Sequence, residues 1–248
     1  MACVLVFCNQ KGGTGKTTVC RQVGSCLSGR VLFVDVDPQA NLSSQFLSDI
    51  KGYTLVDLFV LAKEGELNAI DVYRAVYSTG VDGVDVIPSH RNLVSFETVS
   101  DIGREKYLTQ VLDFVASDYD YVLIDTPPSI GMLTVNALVS ADEVLVVTEP
   151  RKSSVDGVEQ MIRTLKLIRA NYNQNLNLNS IIINKHTNTL DASKWSEYLH
   201  ETYTDLVASP VINQREHYNK QNTTPTTLKP TIQIKDLTRH IQNTITKH

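Results

Sequence analysis

Residues 9–18 read Asn9-Gln10-Lys11-Gly12-Gly13-Thr14-Gly15-Lys16-Thr17-Thr18, and no other segment restricts the fold as tightly. Glycines at three of four successive positions can turn the backbone through conformations closed to other residues. An apolar run, Cys3–Cys8, leads into them, and a helical pattern starting at Lys16 leads out. A strand, a glycine turn and a helix in that order aim backbone N–H groups and the positive helix end at one point, which suits an anion. Lys16 adds a point charge there, and the Thr17 hydroxyl is of the type that ligates a divalent cation. The segment therefore predicts a phosphate cradle on a strand–helix scaffold.

The rest of the chain supports such a scaffold. Short apolar, β-branched runs predict strands at Cys3–Cys8, Val31–Val36, Val84–Ile87, Tyr121–Ile124, Glu143–Thr148, Asn179–Ile183 and Leu206–Val211. Helical patterns fall between them, at Lys16–Ser28, Thr54–Lys63, Arg104–Ser117, Met132–Val139, Val155–Asn171, Ala192–Tyr203 and Ile232–Thr246. Strands that are apolar almost throughout, alternating with helices, predict a doubly wound α/β fold: a mostly parallel sheet with helices on both faces. One domain spanning residues 1–248 is expected. Asn171–Asn179 reads as a surface loop, and Asn219–Pro230 as an irregular connection before the last helix.

Two strands end in acids. Val31–Val36 runs into Asp35-Val36-Asp37-Pro38-Gln39-Ala40-Asn41, and Tyr121–Ile124 runs into Asp125-Thr126-Pro127-Pro128. In an open parallel sheet, ligands sit beyond the carboxyl ends of the strands. Asp35 and Asp37 share strand parity, but Asp37 lies further out, where a carboxylate can orient a water. Asp125 is placed to reach Mg²⁺, through water.

Composition narrows the setting. Hydrophobic residues make up 42% and charged residues 20%, as in ordinary globular chains. No apolar run approaches the ~20 residues of a membrane span, and the apolar start has no basic lead, so a cytoplasmic protein is expected. The four cysteines, Cys3, Cys8, Cys20 and Cys26, form no C-x-x-C pair and read as core packing. The net charge of −4 is uneven: residues 1–150 carry 10 Lys+Arg against 19 Asp+Glu, whereas residues 151–248 carry 13 against 8. A basic second half can carry a phosphate-binding face.

The loop departs from the ordinary pattern G-x-x-x-x-G-K-[ST], whose first glycine would fall on Gln10. It matches the deviant form K-G-G-x-G-K-[ST], with an additional lysine at Lys11. Together with Asp35–Ser43, Val86-Ile87-Pro88-Ser89, Asp125–Ser129 and the late run Val211–Arg215, it resembles the ParA family within the ParA/MinD group of deviant Walker ATPases. The likeness is to the small form, whose first strand opens the chain, so operator-specific repression is not expected. The resemblance implies a switch. ATP and Mg²⁺ bind at Lys11, Gly12, Gly13, Thr14, Gly15, Lys16, Thr17 and Thr18, with Thr17 and Asp125 serving the metal. Two subunits close face to face as a homodimer with ATP sandwiched between them, and Lys11 reaches the partner's phosphates. Asp37 positions the hydrolytic water, so Lys11, Lys16 and Asp37 form the catalytic set. Asn184 contacts the adenine. The ATP dimer binds non-specific DNA, which makes it nucleoid-associated, and a ParB-like centromere-binding protein triggers the weak hydrolysis that releases it.

DNA contact requires cations on one face. Arg215, Lys220 and Lys235 are the principal candidates, with Lys194, Lys229 and Arg239 behind them. The sequence pI of about 5.9 demands that the charge be concentrated locally. The same switch carrying a non-DNA protein cargo is one alternative. A MinD-like membrane switch is another. Leu237, Ile241 and Ile245 form a stripe too narrow and too poor in cations for a membrane anchor, so no membrane contact is expected and the last helix should pack on the sheet.

Overall fold

The run Cys3–Cys8 (β1) is buried from Val4 onward on both faces, as a strand inside a parallel sheet must be. The computed structural model describes residues 2–214 and 230–245. After β1 come α1 (Lys16–Gly24), β2 (Val31–Asp35), α2 (Ser43–Phe46), α3 (Leu55–Glu64), α4 (Ala69–Arg74), β3 (Tyr77–Val81) and β4 (Val84–Ile87). The chain continues through α5 (Tyr107–Val115), β5 (Tyr121–Asp125), α6 (Met132–Val139), β6 (Glu143–Thr148), α7 (Lys152–Asn171), β7 (Asn177–Ile183), α8 (Leu190–Tyr203) and α9 (Ile232–Thr244). The strands form one sheet in the order β3-β4-β2-β5-β1-β6-β7. Every pairing is parallel except β3 with β4.

Strand alternation decides which layer each side chain joins. Val4, Val6 and Cys8 of β1, with Val122 and Ile124 of β5, pack against α3, α5, α6 and α7. Leu5, Phe7 and Leu123 face the other way, onto α1 and α9. Asp35 and Asp125 share the parity of Phe33 and Leu123, so both strands end with a carboxylate on the α1 side. Of the expected α9 stripe, Leu237 and Ile241 are buried in that second core beside Ile234, Ile245 packs partly buried against it, and the Thr231 hydroxyl caps the helix by accepting from Ile234 N at 3.2 Å. Among the described residues no helix is long and apolar enough to cross a membrane.

The mostly parallel, doubly wound sheet is as the pattern predicts, and several boundaries differ. The first helix stops at Gly24 rather than Ser28. A Cβ on Gly24 would lie 2.3 Å from the Phe33 ring, so helix and sheet approach there closely, and Gly29 (φ 114°) turns the chain back. The expected strand Leu206–Val211 is absent. Val207 makes one isolated bridge to Ile181, and Pro210 has no N–H to extend a ladder. β7 begins at Asn177, inside the stretch expected to be loop. The edge strand β3 has no counterpart in the sequence reading. It is mostly exposed and shows no apolar run, but the Asp82-Gly83 turn (Gly83 φ 71°) between paired Val81 and Val84 is a hairpin signature. Most of Asn219–Pro230, with Arg215, Lys220 and Lys229, lies outside the described residues.

Candidate nucleotide site

β1 and β5 are neighbours, yet the chain leaves them in opposite directions: β1 leads through α1 to β2, and β5 leads through α6 to β6. The reversal opens a crevice beyond their carboxyl ends, the usual ligand position in such sheets. The loop 9–15 and the segment 125–128 form its rims.

The loop is held from behind. Asn9 donates its side-chain amide to Val147 O at 2.7 Å and accepts from Lys11 N at 3.2 Å. Gly13 and Gly15 take φ of 81° and 88°, a region other residues enter at a cost. Gly15 is required on a second ground, because a Cβ there would stand 2.3 Å from Asn184 Nδ2. That amide donates to Thr14 O at 2.8 Å. Lys185, next in sequence, donates its ammonium to Gly13 O and pairs with Glu149 Oε1 at 3.0 Å. Glu149 also binds Arg151 Nε at 2.9 Å.

The loop's two lysines have different surroundings. Lys16 is buried at the start of α1. Burial lowers its pKa, while Asp125 foremost, then Cys8 and Asp37, hold it up. Lys11 stands outside the cradle and donates to Ser153 Oγ at the start of α7. Thr17 Oγ1 donates to Asp125 Oδ2 at 2.6 Å. Asp125 Oδ1 is buried without a partner. Burial, then the charge of Asp35, pushes the Asp125 carboxyl well above its ordinary range, against the pull of Thr17 and Lys16. An orphaned carboxylate oxygen beside a threonine hydroxyl is a donor set that fits Mg²⁺. Among the described residues no cluster of three His, Cys, Asp or Glu side chains could hold a metal by itself.

Asp35, in register with Asp125, is fully engaged. Oδ2 accepts from Ser43 N at 2.8 Å and Ser43 Oγ at 2.7 Å, and Oδ1 accepts from Asp37 N at 3.1 Å. Burial still lifts its pKa to about 6. Asp37 sits at the crevice edge and accepts from Gln39 N at 2.9 Å.

The structure thus brings Gly12 through Thr18, Asp37, Asp125 and Asn184 to one place. Lys235 is exposed on α9, remote in sequence from that cluster. Sequence reasoning missed Glu149, Arg151 and Lys185 as parts of the site, and the bracing role of Asn9 within the loop segment. The signal for Glu149 was present: it is an acid directly after an apolar strand, as Asp125 is. The cysteines are free, and burial drives the Cys3 and Cys8 thiols up to about 12, which suits packing rather than chemistry.

A glycine loop between strand and helix, a buried lysine, a threonine and a facing strand-end aspartate at the switch point define a P-loop nucleotide-binding protein. A family model described as an AAA domain matches residues 2–178. The chain is 34% identical over 188 residues to the sporulation initiation inhibitor protein Soj of Bacillus subtilis, covering 74% of this chain and 72% of Soj. It is 35% identical over 189 residues to the chromosome partitioning protein ParA of Caulobacter vibrioides, covering 73% and 68%. Its fold superposes on cobyrinic acid a,c-diamide synthase from Mycobacterium smegmatis with bound ADP and magnesium at a TM-score of 0.80, with 27% identity over 96% of this chain and 93% of that one. The chain belongs to the ParA family of Walker-type ATPases.

Proposed function

We propose that this protein is an Mg·ATP-dependent dimerising switch that partitions DNA, holding non-specific DNA as the ATP dimer and releasing it when a ParB-like partner stimulates hydrolysis. The observation that carries this reading is the split between the two loop lysines. Lys16 is committed to its own cradle, whereas Lys11 rests on an exposed contact with Ser153. A cation parked outside its own site is available to the phosphates of a second subunit, where it would stabilise transferring charge as an arginine finger does.

Within one subunit, Lys16 and the loop N–H groups hold the phosphate oxygens. Thr17 and Asp125 would hold Mg²⁺, which would neutralise phosphate charge when bound. Asp37 would orient the attacking water at the edge of the crevice, and Asn184 would contact the adenine. The relatives named for partitioning support the DNA cargo, and Lys235, exposed on α9, is a candidate contact; the sequence candidates Arg215 and Lys220 lie outside the described residues. A second reading keeps the switch and replaces DNA with a protein cargo. It is favoured by the acidic pI and by the pairing of Arg239 with Asp236 at 3.0 Å.

Binding of non-specific duplex DNA with ATP, with ADP and without nucleotide, at two salt concentrations, tests the proposal. Binding only with ATP, weakening steeply with salt, is expected. ATP-driven dimerisation without DNA binding would leave the switch and transfer the cargo to the second reading.

A further inference from the structure

Two consecutive carbonyls of the phosphate loop are tied to two consecutive residues at the end of β7. Thr14 O accepts from Asn184 Nδ2, and Gly13 O accepts from the Lys185 ammonium. Among the described residues the one cis peptide is Ser209–Pro210, so the loop peptides are trans. In a trans peptide the C=O and the following N–H point in opposite directions. Turning Gly13 O toward Lys185 therefore turns Thr14 N–H away from it. Turning Thr14 O toward Asn184 does the same for Gly15 N–H. These are N–H groups of the anion cradle.

Lys185 is itself fixed. Glu149 Oε1, nearly buried at the end of β6, lies 3.0 Å from its ammonium, and Arg151 braces the other oxygen of the same carboxylate. Lys185 holds φ at 56°, a left-handed conformation that a side-chain-bearing residue keeps only where its surroundings over-determine it. Gly15 fits the same picture, since its missing Cβ makes room for the Asn184 amide.

From these contacts we infer that Asn184 and Lys185, braced by Glu149, are positioning residues that pre-set the phosphate loop by holding its Gly13 and Thr14 carbonyls outward, so that the following N–H groups face the nucleotide before it arrives. The inference rests on the reading of residues 9–18 as a nucleotide cradle. It adds a role for Lys185, which neither phosphate chemistry nor the sequence pattern assigns, and a second role for Asn184 beside any contact with the base.

Lys185→Gly is the informative variant, because it removes the ammonium while relaxing the left-handed backbone. Two readouts apply: the backbone amide resonances of Thr14 and Gly15 in nucleotide-free protein, and dissociation constants for ADP and ATP by titration. Loss of a charge-assisted hydrogen bond that pre-organises the loop should weaken both nucleotides by a common factor, about 10- to 100-fold. KM should rise accordingly while kcat moves far less, and the two amide resonances should broaden or split as the loop samples further conformations. Asn184→Ala should act in the same direction, and the double variant should lose less than the product of the two single losses. Unchanged amide resonances and unchanged affinities would overturn the clamp. So would a loss confined to ATP, which would make Lys185 a direct ligand of the terminal phosphate. Wild-type protein that binds neither nucleotide would remove the cradle reading itself. Wild-type binding matched by Lys185→Gly would remove only the clamp.

Discussion

The ends of β2 and β5 carry the same sequence device, an apolar strand closed by an aspartate, and the two aspartates are register partners, yet their surroundings give them opposite characters. Asp35 accepts three hydrogen bonds and ties down the turn that carries Asp37. Through Ser43 Oγ, which accepts from Ser89 N at 2.9 Å, it also links that turn to the end of β4. Asp125 accepts one hydrogen bond, from Thr17, and leaves a buried oxygen without any. Unsatisfied buried polar atoms are rare and call for a reason. At Asp125 the proposed Mg²⁺ supplies the reason, and at Asp35 the need is met within the chain. A strand-end acid is thus read as structural or functional by what its oxygens accept, not by its position.

Four measurements separate the two strand ends. The largest effect belongs to Asp37, which Asp35 positions. Asp37→Ala should leave ATP binding intact and lower hydrolysis by about 100-fold or more, the scale of a positioned general base or water-orienting group. Phosphate-release assays measure this, and unchanged turnover would remove Asp37 from its role. Next is Asp35→Ala, which strands the Ser43 and Asp37 donors in a dry site. At about 1–3 kcal/mol for each unsatisfied group, with relaxation offsetting part, urea unfolding of nucleotide-free protein should show a loss of about 3 kcal/mol.

The third concerns pH. Asp35 has a folded pKa of about 6 against 3.8 for the free group. A raised pKa means the fold favours the protonated carboxyl. Its contribution is therefore complete below about pH 4 and is lost as pH rises through 6, on the order of 3 kcal/mol in all. Nucleotide-free protein should lose that increment across the window, and Asp35→Asn should flatten the slope. A slope that is unaltered in the variant would assign the titration elsewhere. The smallest effect is Asp125→Asn. It keeps an acceptor for Thr17 and removes a charge that burial disfavours, so stability without nucleotide should change by less than about 1 kcal/mol. Magnesium-dependent tightening of ATP binding should disappear in the same protein. A destabilisation as large as that of Asp35→Ala would erase the distinction between the two strand ends.

Much of this was legible beforehand. Residues 3–18 give the strand, turn and helix because each step depends on near neighbours: an apolar run, glycines able to take positive φ, and a lysine and threonine that open the helix. β1, β4, β6 and α6 were bounded correctly, and the carboxylates were placed at the rim by their position at the carboxyl ends of apolar strands. The hairpin strand β3 was missed although its Asp82-Gly83 turn was visible, because an exposed edge strand has no hydrophobic period to read. Leu206–Val211 misled for the opposite reason: it is apolar enough for a strand, but Pro210 lies where a ladder would need a donor.

What the sequence by itself determined is therefore the phosphate loop, the alternating scaffold that holds it, the acids at two strand ends and the family. Packing in three dimensions sets which acid is satisfied within the chain and which keeps an unpartnered oxygen, that Lys11 and Lys16 face different surroundings, and that Asn184 and Lys185 hold the loop from behind. The physical reason is distance along the chain. Loop, strand and helix arise from interactions over a few residues, whereas the bonds from Asn184 and Lys185 to the loop join residues 170 and 172 positions apart. No local period encodes such pairs, and they exist only once the sheet has brought the ends of β1, β6 and β7 together.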